Sequence, residues 1–353
     1  MITFLSVLIV FSILILVHET GHFLMAKRMG VRVERFSFGF GPKLLSFRKG
    51  ETEYLVCAIP LGGYVKMAGD EPTEKRQGKE WEYLSQPPIK RFAIVATGPL
   101  TNYLLAFLLF SLIFVLGAPA LTTEVGDVLE DFPAYSAGIR ESDKIISIGG
   151  EKVNYWDELL LEVSKATTGK EIQMVVLREG QPIAIKLVPK IIETKNIFGQ
   201  SIKVGRLGII SAGKTTTIKT NIINALYLGG KKTIFLTGFT YKALWHIITG
   251  GMPVRESLGG PIRIAAEIGK AAKMGIIYLI YITAQINLAI AIFNLLPFPV
   301  LDGGHILFLG LEKIRGRQLS PRIESVITQI AITLLITLAV FVSWNDILNL
   351  IAK

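Results

Sequence analysis

Apolar residues in this chain gather into long blocks. Four of them, at roughly 1–25, 92–117, 276–298 and 325–350, match the ~20 consecutive apolar residues that cross a bilayer. The first begins MITFLSVLIVFSILILV, seventeen residues without a charge. The third, IIYLIYITAQINLAIAIFNLLPF, carries Gln285, Asn287 and Asn294, and polar groups at that depth face other helices or a cavity. Between the first two blocks, VRVERFSFGFG, PKLLSFRKG, ETEYLVCAIP and GGYVKMAG read as short strands broken by Gly, Pro and Lys-Gly. They predict a small four-stranded sheet or a pair of hairpins beside the membrane, over about 30–70. Residues 118–211 alternate strand, short helix, strand and strand, as a compact α+β domain does. In 212–275 the stretch TIFLTGFTYKALWHIITGG is apolar, but Lys231, Lys232, Lys242 and His246 favour helices lying at the interface. The fold class expected is an α-helical polytopic membrane protein with four transmembrane helices, a membrane-associated β insertion and one α+β domain. Its divisions are 1–117, 118–211, 212–275 and 276–353.

Composition agrees with a membrane protein: 50% of residues are hydrophobic and 19% charged, against about 25% charged in soluble domains. The net charge of +10 sets orientation and meets anionic head groups, and no nucleic-acid-binding motif accompanies it. The 26–91 loop holds 13 of the 38 Lys and Arg, and the 299–324 loop holds Lys313, Arg315, Arg317 and Arg322. These short basic loops belong in the cytoplasm, which leaves both termini and the 118–275 segment outside it. The N-terminus lacks the basic region and A-x-A site of a secretory signal. Cys57 is the sole cysteine, so no internal disulfide forms.

The chemistry lies at the end of the first block. His18-Glu19-Thr20-Gly21-His22 places two imidazoles at i and i+4 on one helix face, where they can hold one zinc ion. Glu19, one residue along, can take a proton from a water beside the metal. Unpaired, three ionisable groups in a span would cost several kcal/mol. A third protein ligand must come from elsewhere. In NLLPFPVLDGGH, 294–305, Pro297 and Pro299 end the third block and free backbone groups that only protein or a cavity satisfies at that depth. Asp302 follows and is the natural third ligand. With four spans, the first and third run in the same direction, so both motifs reach one side of the membrane.

His-Glu-x-x-His in the first span, with Asn294, Pro297, Pro299, Leu301, Asp302 and Gly303 as Asn-x-x-Pro-x-Pro-x-Leu-Asp-Gly in a later one, resembles the site-2 protease family of intramembrane zinc metalloproteases. GFGP (39–42), GGYVKM (62–67) and GPLTN (98–102) are similar to the bacterial RseP-type members. The resemblance implies Zn2+ held by His18, His22 and Asp302, Glu19 as general base, and Asn294, Pro297 and Pro299 near substrate or the developing oxyanion. It implies single-span membrane protein substrates such as anti-sigma factors or remnant signal peptides, and a bacterial inner-membrane location. The best-known RseP-type enzymes carry two tandem PDZ domains; this chain has room for one. AYSAGIRESDKIISIGGEKV and GRLGI (205–209) resemble a circularly permuted PDZ domain, whose peptide or protein ligand would lie outside the cytoplasm. A plain spacer is the other reading of 118–211. A non-enzymatic PDZ scaffold is the alternative function, although a scaffold needs neither Glu19 nor Asp302.

Cutting a helix requires unwinding it, and the freed backbone groups need partners in lipid. EYLVCAIPLGGYVKM, 53–67, supplies an edge for strand addition, with Gly62, Gly63, Tyr64 and Val65 as the substrate-binding positions. Val65→Pro is then expected to impair cleavage of helical substrates more than of flexible ones. Asn102 reads as a polar contact between spans.

Overall fold

The computed structural model describes residues 1–71, 78–165, 169–196, 199–253 and 259–351. They fall into two compact units, one of 1–113, 222–242 and 254–353 and one of 114–221 with 243–253.

The first unit holds the apolar helices. Helix α1 (Ile2–Arg28) has no charged residue before His18 and ends on Lys27 and Arg28, which suit the negative end of the helix dipole. Strands β1 (Val33–Lys49) and β2 (Thr52–Met67) follow, and then α2 (Pro88–Leu116). Four helices are long and apolar enough to cross a membrane: Ile2–Arg28, Pro88–Leu116, Ile276–Asn294 and Pro321–Leu348. The chain is an integral membrane protein with a β region.

Each of the two long strands bends and pairs twice. Val33–Phe38 pairs with Gly63–Met67 on one side and with Glu53–Val56 on the other, and Glu53–Val56 pairs again with Leu45–Arg48. The result is a four-stranded sheet, one of the two forms expected, with 63–67 at one edge and 43–49 at the other. Glycines permit the bends. Gly39 has φ +91°, and a Cβ there would lie 2.7 Å from the Ile59 carbonyl oxygen. Gly62 has φ +135°, and a Cβ there would enter the Phe40 ring. The sheet lies along α1: Phe36 and Tyr54 contact Phe23, and the Ser12 hydroxyl donates to the Pro60 carbonyl at 2.7 Å. Ser12 precedes His18 by six residues, about 9 Å of helix. The hairpin tip therefore reaches past the His motif along the span. Phe40, Leu44, Leu45, Phe47 and Ile59 on the sheet are exposed and apolar.

The unit's remaining helices are α5 (Ile222–Ile248, here its 222–242 part), α6 (Pro261–Met274), α7 (Ile276–Asn294), α8 (Asp302–Arg315) and α9 (Pro321–Ile351). Helix α6 packs on α1 and α7 through Ile264 and Ile268, which meet Val10, Leu14, Leu279 and Ile282. Its N-terminal amides of Gly260 and Arg263 donate to the buried Asp346 carboxylate of α9, at 3.2 and 2.9 Å. Helix α5 meets α2, with Gly229 against Ser111 and Gly230 against Phe107, and it is not among the helices long and apolar enough to cross a membrane. The Lys232 ammonium lies 5.7 Å from the centre of the Tyr281 ring.

The second unit carries β3 (Ala118–Leu121), β4 (Val125–Val128), α3 (Pro133–Ser136), β5 (Lys144–Ile148), β6 (Glu151–Lys152), α4 (Trp156–Lys165), β7 (Ile172–Arg178), β8 (Gln181–Leu187), β9 (Lys190–Lys195), β10 (Ser201–Arg206), β11 (Ile209–Ser211) and β12 (Thr215–Ile218). Its main antiparallel sheet has the order β6-β5-β7-β8, beside the pairs β9–β10, β4–β11 and β3–β12. The last pair extends the unit beyond the expected end at residue 211, because Thr215–Ile218 returns to pair with Ala118–Leu121. The core gathers Val125, Ile145, Trp156, Leu159, Met174, Val176, Ile185 and Leu207. Asp143, fully buried, receives a two-pronged bond from Arg178 and the Arg140 N–H. Burial pushes its carboxyl up, and these donors outweigh burial and hold it below the usual range.

Candidate metal centre

Helical spacing brings His18 and His22 to one face of α1, their Nε2 atoms 3.1 Å apart. Asp302, in the first turn of α8, closes the triangle: Oδ2 lies 3.2 Å from His18 Nε2 and Oδ1 3.5 Å from His22 Nε2. All three side chains are largely shielded, at 12%, 11% and 17% exposure. The Asp302 Oδ2 atom is buried and makes no hydrogen bond, despite its closeness to His18. Two imidazole nitrogens and a carboxylate converging on one point, with a carboxylate oxygen left unbonded, are what a cation requires. Two imidazoles and a carboxylate suit zinc, with a position left open for water. Among the described residues this is the one cluster of His, Cys, Asp and Glu side chains that can hold a metal.

Close packing builds the site. Helix α2 approaches α1 at two glycines. A Cβ on Gly21 would lie 2.5 Å from Thr101 Oγ1, and a Cβ on Gly98 would overlap the His22 ring. At this crossing the His22 Nδ1–H donates to the Ile94 carbonyl at 2.9 Å, which leaves the Nε2 lone pair free for a metal. Asp302 reaches the site because the 295–299 link folds back on the first turn of α8. A Cβ on Gly303 would strike the Leu296 carbonyl, and one on Gly304 the Phe298 carbonyl. The Asp-Gly-Gly run thus has a steric reason. Farther along α8, Glu312 pairs with the buried Arg91 of α2, whose Nε donates to the Gln86 carbonyl. Tyr83 packs nearby, and burial pushes its phenol well above the usual value, against the pull of Arg91.

Glu19 points at the sheet. A Cβ on Gly63 would lie 2.6 Å from the Ser37 carbonyl oxygen and 3.5 Å from Glu19 Cγ, so close strand pairing demands the glycine and Glu19 packs against it in ordinary contact. The edge strand 63–67 therefore lies against the proposed base. Its outward amides are partly used, because the Met67 N–H donates to Asp70 at 2.9 Å.

Of the other expected site residues, Gly62, Gly63, Tyr64 and Val65 lie on β2 with Phe40 stacked on Tyr64. Asn294 ends α7, and Pro297 and Pro299 lie in the link to α8. The Ile94 carbonyl and Gly98 escaped the sequence reading, and Asn102 appeared there only as an interhelical contact. The compact GPLTN run, two small or rigid residues and an amide inside an apolar span, was the available signal.

The sequence model of Peptidase family M50 matches residues 6–338. A candidate zinc metalloprotease of Agrobacterium fabrum is 35% identical over 98% of this chain and 95% of its own length. A similar protein of Campylobacter jejuni is 33% identical over 100% and 95%. The zinc metalloprotease RasP of Oceanobacillus iheyensis is 28% identical over 99% and 100%.

Proposed function

The chain belongs to Peptidase family M50, and from that membership we propose that it is a zinc-dependent intramembrane endopeptidase. It cuts the transmembrane segments of single-span proteins such as anti-sigma factors or remnant signal peptides, in regulated intramembrane proteolysis. The observation that carries this reading is the convergence of His18, His22 and Asp302, with Glu19 beside them, on helices apolar enough to lie in lipid.

His18, His22 and Asp302 would hold the zinc. When bound, zinc activates water and polarises the carbonyl under attack. Glu19 accepts a proton from the attacking water at a carboxylate oxygen and later delivers it to the leaving amine. Asn294, Pro297 and Pro299 flank the substrate at the helix end, where Asn294 donates to the developing oxyanion. Gly62 to Val65 offer backbone groups to an unwound substrate. The basic 26–91 and 299–324 loops support a centre towards the cytoplasmic side of a bacterial inner membrane. The second unit then lies outside the cytoplasm and works as a PDZ-like domain. Support for that role is a cleft of about 430 Å³ lined by Leu129, Phe132, Leu159, Val163, Leu207 and Ile209, between α4 and the GRLGI run, sized for a peptide ligand.

The test uses purified protein and a single-span substrate. Wild type is expected to cut within the hydrophobic segment, while Glu19→Gln retains zinc and does not cut. Near-normal turnover by Glu19→Gln would exclude the mechanism.

A further inference from the structure

Asn102 is fully buried on α2, and two observations about its carboxamide conflict with metal binding as the group is oriented. Its Nδ2 lies 3.4 Å from His18 Nδ1, and its Oδ1 is buried without a hydrogen-bond partner. His18 faces Asp302 and His22 through Nε2, so Nε2 is the nitrogen that offers a lone pair to a metal. A neutral imidazole with that lone pair free carries its proton on Nδ1. Two donors, Nδ1–H and Nδ2–H, would then oppose each other while an acceptor oxygen is stranded in a dry helix crossing. With the proton on Nε2 instead, the amide donates to Nδ1 and His18 cannot ligate.

A half-turn about the carboxamide bond exchanges Oδ1 and Nδ2. The Oδ1 atom then accepts from His18 Nδ1–H, and the buried oxygen gains a donor. We propose that Asn102 is a positioning residue for the metal: its Oδ1 holds the Nδ1–H tautomer of His18 and aims Nε2 at the zinc. It does for His18 what the Ile94 carbonyl does for His22, so α2 supplies the supporting acceptor for both histidines. Its own place is fixed from a third helix, because Asn287 Nδ2 of α7 donates to the Asn102 backbone carbonyl at 2.6 Å. Thr101, the preceding residue, bonds Val17 and Gly98 carbonyls, which keeps the crossing closed. The amide therefore cannot retreat from the ring without parting three helices. This inference rests on the metallopeptidase reading of the site.

Zinc affinity of the full chain in detergent, measured by chelator competition, tests it. Asn102→Leu keeps the volume and removes the acceptor. Loss of a partner of this kind costs about 10–100-fold in metal affinity, and that weakening is expected. Asn102→Asp restores an acceptor, and affinity near or above that of wild type is expected. Equal affinity of Asn102→Leu and wild type overturns the proposal, as does equal weakening in the Leu and Asp variants. A second measurement needs no variant: in zinc-loaded wild type with ¹⁵N-labelled histidine, His18 should show a protonated Nδ1, and an unprotonated Nδ1 overturns the assignment. If wild type binds zinc no better than His22→Ala, the metal site itself fails and this inference falls with it. A wild type that binds zinc while the Asn102 variants behave alike rejects only the role of Asn102.

Discussion

One methyl group is enough to close the metal centre. A Cβ at Gly98 would overlap the Nε2 atom that His22 presents to the metal and would lie 2.9 Å from His18 Cε1. The obstacle is the pair of ligand rings, so relief requires moving a ligand. Gly98→Ala is therefore expected to lower zinc affinity at least ~10-fold, on the scale of lost supporting contacts, while the helices still form. Zinc retention after chelator challenge measures this, and unchanged retention would show that α2 lies farther from α1. The reason for the glycine lies outside the His-Glu-x-x-His motif. The pattern at 18–22 was legible because i and i+4 need only helical geometry. Gly98, Asn102 and the Ile94 carbonyl depend on how a second helix crosses the first, and an apolar span with no polar periodicity does not encode that crossing.

Among the elements, the sheet on 33–67 shows most clearly how sequence and structure divide the information. Its strands were legible from Gly and Pro breaks, and its four-stranded form was one of two expectations. The approach of Gly63 to Glu19 was not, since it depends on how the sheet lies on α1. With the edge strand as the proposed partner of an unwound substrate, Val65→Pro removes an N–H from it and should depress cleavage of helical substrates more than of flexible ones, with zinc still bound. Parallel turnover assays on a stable helix and a helix-poor peptide would reveal it. Wild-type activity of the variant on the stable helix would mean that the edge is only structural. Helix α5 carries a related lesson. Its lysines suggest an interfacial course; its contacts, Gly229 against Ser111 of α2 and Lys232 over the Tyr281 ring, were not legible. Partner side chains decide where a lysine is tolerated, and a single-chain hydropathy reading cannot see them.

For the whole molecule, the four apolar helices follow from composition and length alone, and the chain order then constrains the chemistry. His18, His22 and Asp302 meet at one point, which requires the ends of the first and third spans to share a side. Single cysteines at Ser85 and Lys165, in a Cys57→Ala background, should accordingly label from opposite faces of the membrane. Same-face labelling would break the proposed orientation. The central claim is that two residues on α1 and one about 280 positions later build a single zinc site. Its most direct measurement is zinc per chain in the purified wild type and in Asp302→Ala. The account predicts one zinc in the wild type and almost none in the variant after dialysis against a weak chelator. Equal zinc in both would contradict it, because Asp302 would then not be a ligand.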